Sequence, residues 1–221
     1  MQPGTLYVVS TPIGNLEDIT MRAVRTLKEV DLIAAEDTRK SGVLLNAYGI
    51  NTPLTSYHSY SIKSKTPGLV RSMADGKNIA LVSDSGTPGI SDPGSVLVRE
   101  CIKNGIPVTA VPGPAAFVMA LVLSGKDTNK FVFEGFLSNK SGRRRRQLEA
   151  LKDEERTVII YESPHRIVKF LEDFMDIMGD REIVLARELT KKFEEVRREK
   201  ASLHLEHFEH KKPQGEFIVV F

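Results

Sequence analysis

Short apolar runs rich in β-branched residues recur along the whole chain, and helically spaced segments separate them. Residues 6–10, 32–35, 79–83, 108–111, 131–136, 157–161, 183–186 and 217–221 each read as strands. Between them Ala23, Val24, Leu27 and Val30 share one helical face, as do Leu97, Val98, Cys101 and Ile102. Ile167, Val168, Leu171, Phe174, Met175 and Met178 form a third such stripe. Alternation of this kind builds mostly parallel sheets with helices packed on them, the α/β class. At 221 residues the chain has room for two small domains. The polar stretch 124–129 follows an apolar helix, with Gly125 placed as its stop. The expected domains are therefore 1–124 and 125–221.

Composition bounds what such a chain does. With 41% hydrophobic and 27% charged residues it reads as an ordinary soluble protein. One cysteine, Cys101, excludes an internal disulfide and fits a reducing cytoplasm. No basic stretch leads into an apolar one after Met1, so no secretion signal is expected. The longest apolar run, 115–123, is too short to cross a bilayer, so no membrane is expected as a partner. Residues 1–113 hold 11 basic and 10 acidic groups, and residues 114–221 hold 20 and 19. Bulk charge thus makes no case for nucleic acid, and any such case rests on local clusters.

In parallel α/β sheets ligands sit beyond the carboxyl ends of strands. Four loops there are unusual: 10–16, 83–94, 112–116 and 162–166. The second interleaves Gly86, Gly89 and Gly94 with Pro88 and Pro93, which lets backbone approach a ligand along a stiffened path. A turn-rich connection is the plainer explanation for any one of them. Neither a G-x-G-x-x-G fingerprint nor a G-x-x-x-x-G-K-[ST] loop is present.

Two helix starts break a local preference. Asp37 reads as an N-cap, yet Arg39 and Lys40 follow it. Ser163 and Pro164 read as N-cap and first turn, yet His165 and Arg166 come next. Cations at the positive end of a helix dipole are unfavourable by about 0.3–1 kcal/mol each. An anion such as RNA phosphate would relieve the conflict, and so would ion pairs to Glu36 or Glu162. Arg143, Arg144, Arg145 and Arg146 form the one dense basic run, a solvated helix start or a phosphate contact. His204, His207 and His210 drift around a helix and make no metal set, so no metal is expected.

Taken together, 4–20, 35–39, 83–94, 111–116, 133–136, 161–166 and 215–216 resemble the tetrapyrrole methylase superfamily, and within it the branch acting on small-subunit ribosomal RNA. The resemblance covers nearly the whole chain in one order. It implies two αβα domains, a homodimer, and S-adenosyl-L-methionine in an interdomain cleft. By its implication the cofactor contacts fall on Ile13, Ser85, Gly86, Thr87, Ile90, Ala115, Ala116 and Glu162, with Arg187 and Glu216 as further ones. The superfamily's tetrapyrrole enzymes carry an Asp where this chain has Thr87, which favours the RNA branch.

The implied reaction is methyl transfer to the ribose 2′-oxygen of a cytidine in 16S rRNA, on the RNA or the 30S particle. Glu36, Asp37 and His165 are the candidates for a base that takes the hydroxyl proton. Arg39, Lys40, Arg166 and the run from Arg143 to Arg146 are the candidate RNA contacts. Two other functions fit less of the sequence. One is a methylase of a tetrapyrrole or other small molecule, which has no use for an arginine run. The other is a non-catalytic RNA-binding assembly factor, which has no use for the glycine loops.

Overall fold

The computed structural model describes residues 2–221. By its internal contacts the chain divides into a unit ending at Ala115 and a second unit, Ala116–Phe221.

The first unit follows strand β1 (Leu6–Val9), a 3-10 turn (Leu16–Asp18), helix α1 (Met21–Glu29), β2 (Leu32–Ala35), α2 (Thr38–Ala47) and β3 (Leu54–Ser56). It continues through α3 (Ile62–Ala74), β4 (Ile79–Val82), α4 (Gly94–Lys103) and β5 (Val108–Val111). The sheet runs β3-β2-β4-β1-β5 and every pairing is parallel. Side chains alternate across it, so each strand serves two cores. Val9, Ile33, Ala35, Ala80 and Val82 meet α1 and α2 through Leu27 and Leu45. Leu6, Val8, Ala34, Ile79 and Leu81 meet α3 and α4 through Leu69, Met73, Leu97 and Cys101. Helices therefore cover both faces. The loop leaving β4 departs to the opposite face from the loops leaving its neighbours β1 and β2. Such a divergence opens a crevice at the strand ends, where α/β proteins bind ligands.

The second unit holds α5 (Ala116–Ser124), β6 (Phe131–Phe136), α6 (Ser141–Ala150), β7 (Thr157–Glu162) and α7 (Ile167–Met178). It ends with β8 (Glu182–Arg187), β9 (Glu195–Lys200), α8 (Ala201–His210) and β10 (Phe217–Val220). Its sheet, β6-β7-β10-β8-β9, is mixed. β6 and β7 are parallel, while β10 runs against both β7 and β8, and β9 runs against β8. Leu148, Phe170, Leu171, Phe174 and Ala201 from α6, α7 and α8 pack on one face with Val158, Ile160, Leu185 and Val219. α5 lies across β7, β8, β9 and β10. For that reason the division falls one helix earlier than the 124/125 boundary expected from the polar stretch. Gly125, at φ +75, does follow the helix end.

The eight expected strands all form, and two more join them. β3 is only three residues long. β9, Glu-Val-Arg-Arg-Glu-Lys, is an edge strand with charge on both faces, a common defence of exposed sheet edges. α7 begins at Ile167 rather than at Pro164, because Ser163 O accepts from both Arg166 N (3.0 Å) and Ile167 N (3.0 Å) in a preceding turn.

Phe170 is fully buried between α7 and the second sheet. Phe170→Ala is expected to cost about 3–5 kcal/mol. Chemical denaturation should show that loss, with hydrogen exchange accelerating in residues 157–220 and unchanged in the first sheet.

Candidate active site

In the first unit the candidate residues gather where β1, β4 and β5 end. Thr11 and Gly86 exchange backbone hydrogen bonds, Thr11 N–H to Gly86 O at 2.9 Å and Gly86 N–H to Thr11 O at 3.0 Å. The Thr11 hydroxyl also donates to Ser83 O at 3.3 Å. Beside this pair the Thr87 hydroxyl lies 2.9 Å from Ser10 Oγ and donates to Pro114 O at 3.2 Å. Three loops are thereby tied into one surface. Gly86 holds a left-handed backbone within it. Its φ is +78, and a Cβ there would stand 3.4 Å from Ile13 Cγ2 and 3.5 Å from Pro114 O. Ile13, Ser85, Gly86, Thr87 and Ala115 thus belong to one loop cluster. Ile90, at the end of the turn from Thr87, is partly exposed. Asp92 closes that loop by accepting from Gly89 N at 2.8 Å and Gly94 N at 2.6 Å. It stands two residues before α4, whose N-cap position is Pro93.

On the other side of β4, acidic groups converge. Asp37 caps α2, accepting from Arg39 N at 2.9 Å. Asp84 accepts from Asp37 N at 2.9 Å and from Lys40 Nζ at 2.7 Å. Glu36 accepts from Asp84 N at 3.4 Å. Burial raises the Glu36 pKa, and the Asp84 charge adds to the rise. The Arg39 side-chain hydrogen bonds hold Asp37 well below the usual carboxylate range. Arg39 reaches Asp37, not Glu36, and its side chain stays 89% exposed. Asp84 was not among the residues singled out in the sequence. An acidic residue directly after a buried strand was the available signal.

In the second unit Glu162, Phe217 and Arg187 stand in one row, since Phe217 is in register with both. Glu216 precedes that row on β10. Glu162 has no exposed side-chain surface. It accepts from Ser163 N at 2.8 Å, and Arg166 Nε lies 3.0 Å from its Oε1. Burial raises the Glu162 pKa, opposed by the Ser163 hydrogen bond and the Arg166 charge. Arg166 also donates to Leu137 O at 2.6 Å. It turns inward to the carboxylate, the second of the two explanations for its helix start. Arg187 donates to Gln214 O at 2.6 Å and pairs with Glu195 at 3.3 Å. Glu216 is exposed and accepts from Lys191 at 3.0 Å. Ala116 opens α5, and His165 is exposed.

The arginine run does not act as one patch. Arg144 is only 4% exposed and pairs with Asp173 at 2.5 Å, its Nε donating at 2.8 Å. It is removed from the candidate RNA contacts. Arg145 binds Asp173 at 2.8 Å and Asp176 at 2.9 Å. Arg143 and Arg146 face outward. A helix turns successive residues by about 100°, so four adjacent cations cannot share a face. Among the described residues no group of three or more His, Cys, Asp or Glu could hold a metal. No helix is long and apolar enough to cross a membrane.

The family model for Tetrapyrrole (Corrin/Porphyrin) Methylases matches residues 5–203. The chain belongs to this family. Tetrapyrrole methylases use S-adenosylmethionine, and this chain is a methyltransferase dependent on it. It is 51% identical over 217 residues to the Ribosomal RNA small subunit methyltransferase I of Thermotoga maritima, covering 98% of this chain and 97% of that one. Identity to the protein of the same name from Synechocystis is 50% over 218 residues, covering 98% and 78%. Among solved structures, uroporphyrin-III-C-methyltransferase from Thermus thermophilus shares the tetrapyrrole methylase fold. Its TM-score is 0.70 at 20% identity, covering 98% of this chain and 94% of that one.

The Gly86 surface fits the family's cofactor, because its tied loops gather backbone groups at the ends of β1, β4 and β5. Gly86→Val adds bulk against Ile13 at a φ that β-branched residues rarely adopt. Calorimetry should show S-adenosylmethionine affinity falling tenfold or more, roughly 1.4 kcal/mol, in a protein that stays folded. Separately, Asp173→Asn leaves the buried Arg144 without its counter-charge, a change worth about 3–5 kcal/mol. Burial alone would raise the Asp173 pKa, but the two arginines outweigh it and lower the pKa. The pair therefore stabilises fully above the ordinary Asp pKa and is lost as pH falls through the depressed one. Urea titrations of parent and variant should converge only in strong acid.

Proposed function

We propose that this chain methylates the ribose 2′-oxygen of a cytidine in small-subunit ribosomal RNA, acting on the RNA or the 30S particle. The carrying observation is 51% identity across 98% of the chain to a protein named for methylating that RNA. Bound S-adenosylmethionine supplies a methyl group on a sulfonium, which leaves readily. The protein's part is to hold cofactor and ribose in line and to take the hydroxyl proton. The tied loops of Ile13, Ser85, Gly86, Thr87, Ile90 and Ala115 hold the cofactor in the first unit. In the second unit Arg166 positions the Glu162 carboxylate.

Among the candidate bases Glu36 is the best suited. Its raised pKa makes it the stronger proton acceptor, whereas Asp37 is occupied and depressed by Arg39. Arg39, Arg143 and Arg146 keep exposed guanidinium groups for backbone phosphates, with Lys40 beside Arg39 and Arg145 partly available. A homodimer accounts for the apolar side chains that the second unit leaves exposed, Met119, Val122 and Leu123 on α5 and Phe131 and Phe136 on β6.

Incubation with labelled S-adenosylmethionine and small-subunit particles lacking the modification should place label in a cytidine ribose. Label in a base, or none, defeats the proposal. Glu36→Gln should slow single-turnover transfer by about 10²–10⁴-fold. The parental rate should fall as pH drops through a value above the ordinary Glu pKa, and the variant should lose that limb. An unchanged profile removes Glu36 from the reaction.

A further inference from the structure

The turn between β8 and β9, residues 188–194, is strained. Glu188 has φ 51 and Thr190 φ 65, both left-handed. For a β-branched residue this is a true outlier. Such positions are costly and persist only where their surroundings hold them. Here the hold is extensive. Lys191 Nζ bridges Glu188 Oε1 at 2.9 Å and Glu216 Oε2 at 3.0 Å. Thr190 N–H donates to Glu194 Oε2 at 2.5 Å, and Glu188 N–H to Glu216 O at 3.1 Å. Leu189 is buried beneath. Opposite stands Gly215, where a Cβ would lie 2.4 Å from Glu188 Cγ.

This fixed turn presents Phe193 to solvent at 64% exposure. Lys192 Nζ lies 5.6 Å from the centre of its ring, within cation–π range. Lys191 is neutralised by two carboxylates, whereas Lys192 makes no ion pair among the described residues. The turn leaves β8 directly after Arg187, in the row that contains Glu162. A stable protein interface needs about 800 Å² from each partner, far more than one ring supplies. One exposed ring beside one unpaired ammonium suits a nucleobase and its adjoining phosphate, as in single-strand recognition.

We propose that Phe193 is a stacking platform for a base of the RNA substrate, with Lys192 on the neighbouring phosphate. This rests on the RNA reading above. In steady-state assays with unmodified small-subunit particles, Phe193→Ala should raise KM about 5- to 150-fold. That range converts the roughly 1–3 kcal/mol measured for base–aromatic stacking. Phe193→Trp should restore it. Lys192→Gln should reduce the salt slope of RNA binding by about one. Cofactor affinity and melting temperature should stay at parental values in all three. A parental KM for the Ala variant overturns the proposal, as does failure of Trp to rescue. Early melting with lost cofactor affinity also overturns it, since the ring would then be structural. If the parent itself places no label in the particles, the RNA reading falls, and this proposal with it.

Discussion

The reciprocal hydrogen bonds between Thr11 and Gly86 decide what the first unit can do. Because the β4 loop diverges from those of β1 and β2, crevices tend to open on both sides of β4. The Thr11–Gly86 pair closes the β1 side into a smooth backbone surface, which Ser10, Thr87 and Pro114 extend to the end of β5. The β2 side stays polar and gathers Glu36, Asp37 and Asp84. In the proposed function the first surface lies against the cofactor and the second moves the proton. The first depends on a glycine at 86, because a residue tolerant of φ +78 lets the loops after β1 and β4 meet.

Charge is handled differently in the second unit. Asp173 absorbs Arg144 and shares Arg145 with Asp176, joining α6 to α7. Glu162 absorbs Arg166, and Glu195 and Glu199 hold Arg197. Most cations that look available in the sequence are therefore neutralised by a neighbour. Breaking the pair of the buried Arg144 would leave an uncompensated buried charge, so that arginine is fixed by stability before any ligand arrives. The near-zero net charge fits a protein that reads its substrate through a few placed groups rather than a broad positive field.

Much of this was legible in the sequence. Eight strands announced themselves by β-branched runs, and the loops after β1, β4, β5 and β7 by glycine and proline. β3 was too short to show a period. β9 hid because an edge strand with charges on both faces carries no apolar alternation. The mixed second sheet was also invisible, since local patterns record a strand but not its direction. At the candidate site the residue types were visible and their partners were not. Asp173 lies far from Arg144 in sequence, and only packing of α7 on α6 brings it close enough to claim the guanidinium.

Broken local preferences pointed to function unevenly. Arg39 and Arg166 stand at helix starts where the dipole disfavours them, yet each conflict is met internally, by Asp37 and by Glu162. A mismatch of under about 1 kcal/mol is easily offset by one nearby carboxylate, so it says little about a ligand. The left-handed Glu188 and Thr190 are a different kind of violation. No side-chain pairing removes backbone strain; the ion pairs around the turn only hold it in place. A relaxed turn there would need glycine at both 188 and 190, yet the chain keeps glutamate and threonine and builds a brace of Lys191, Glu188, Glu194 and Glu216 around them. The brace keeps the turn in one shape, and that shape buries Leu189 while turning Phe193 outward. Strain that is held at such cost in contacts is a stronger pointer to a working surface than charge out of place.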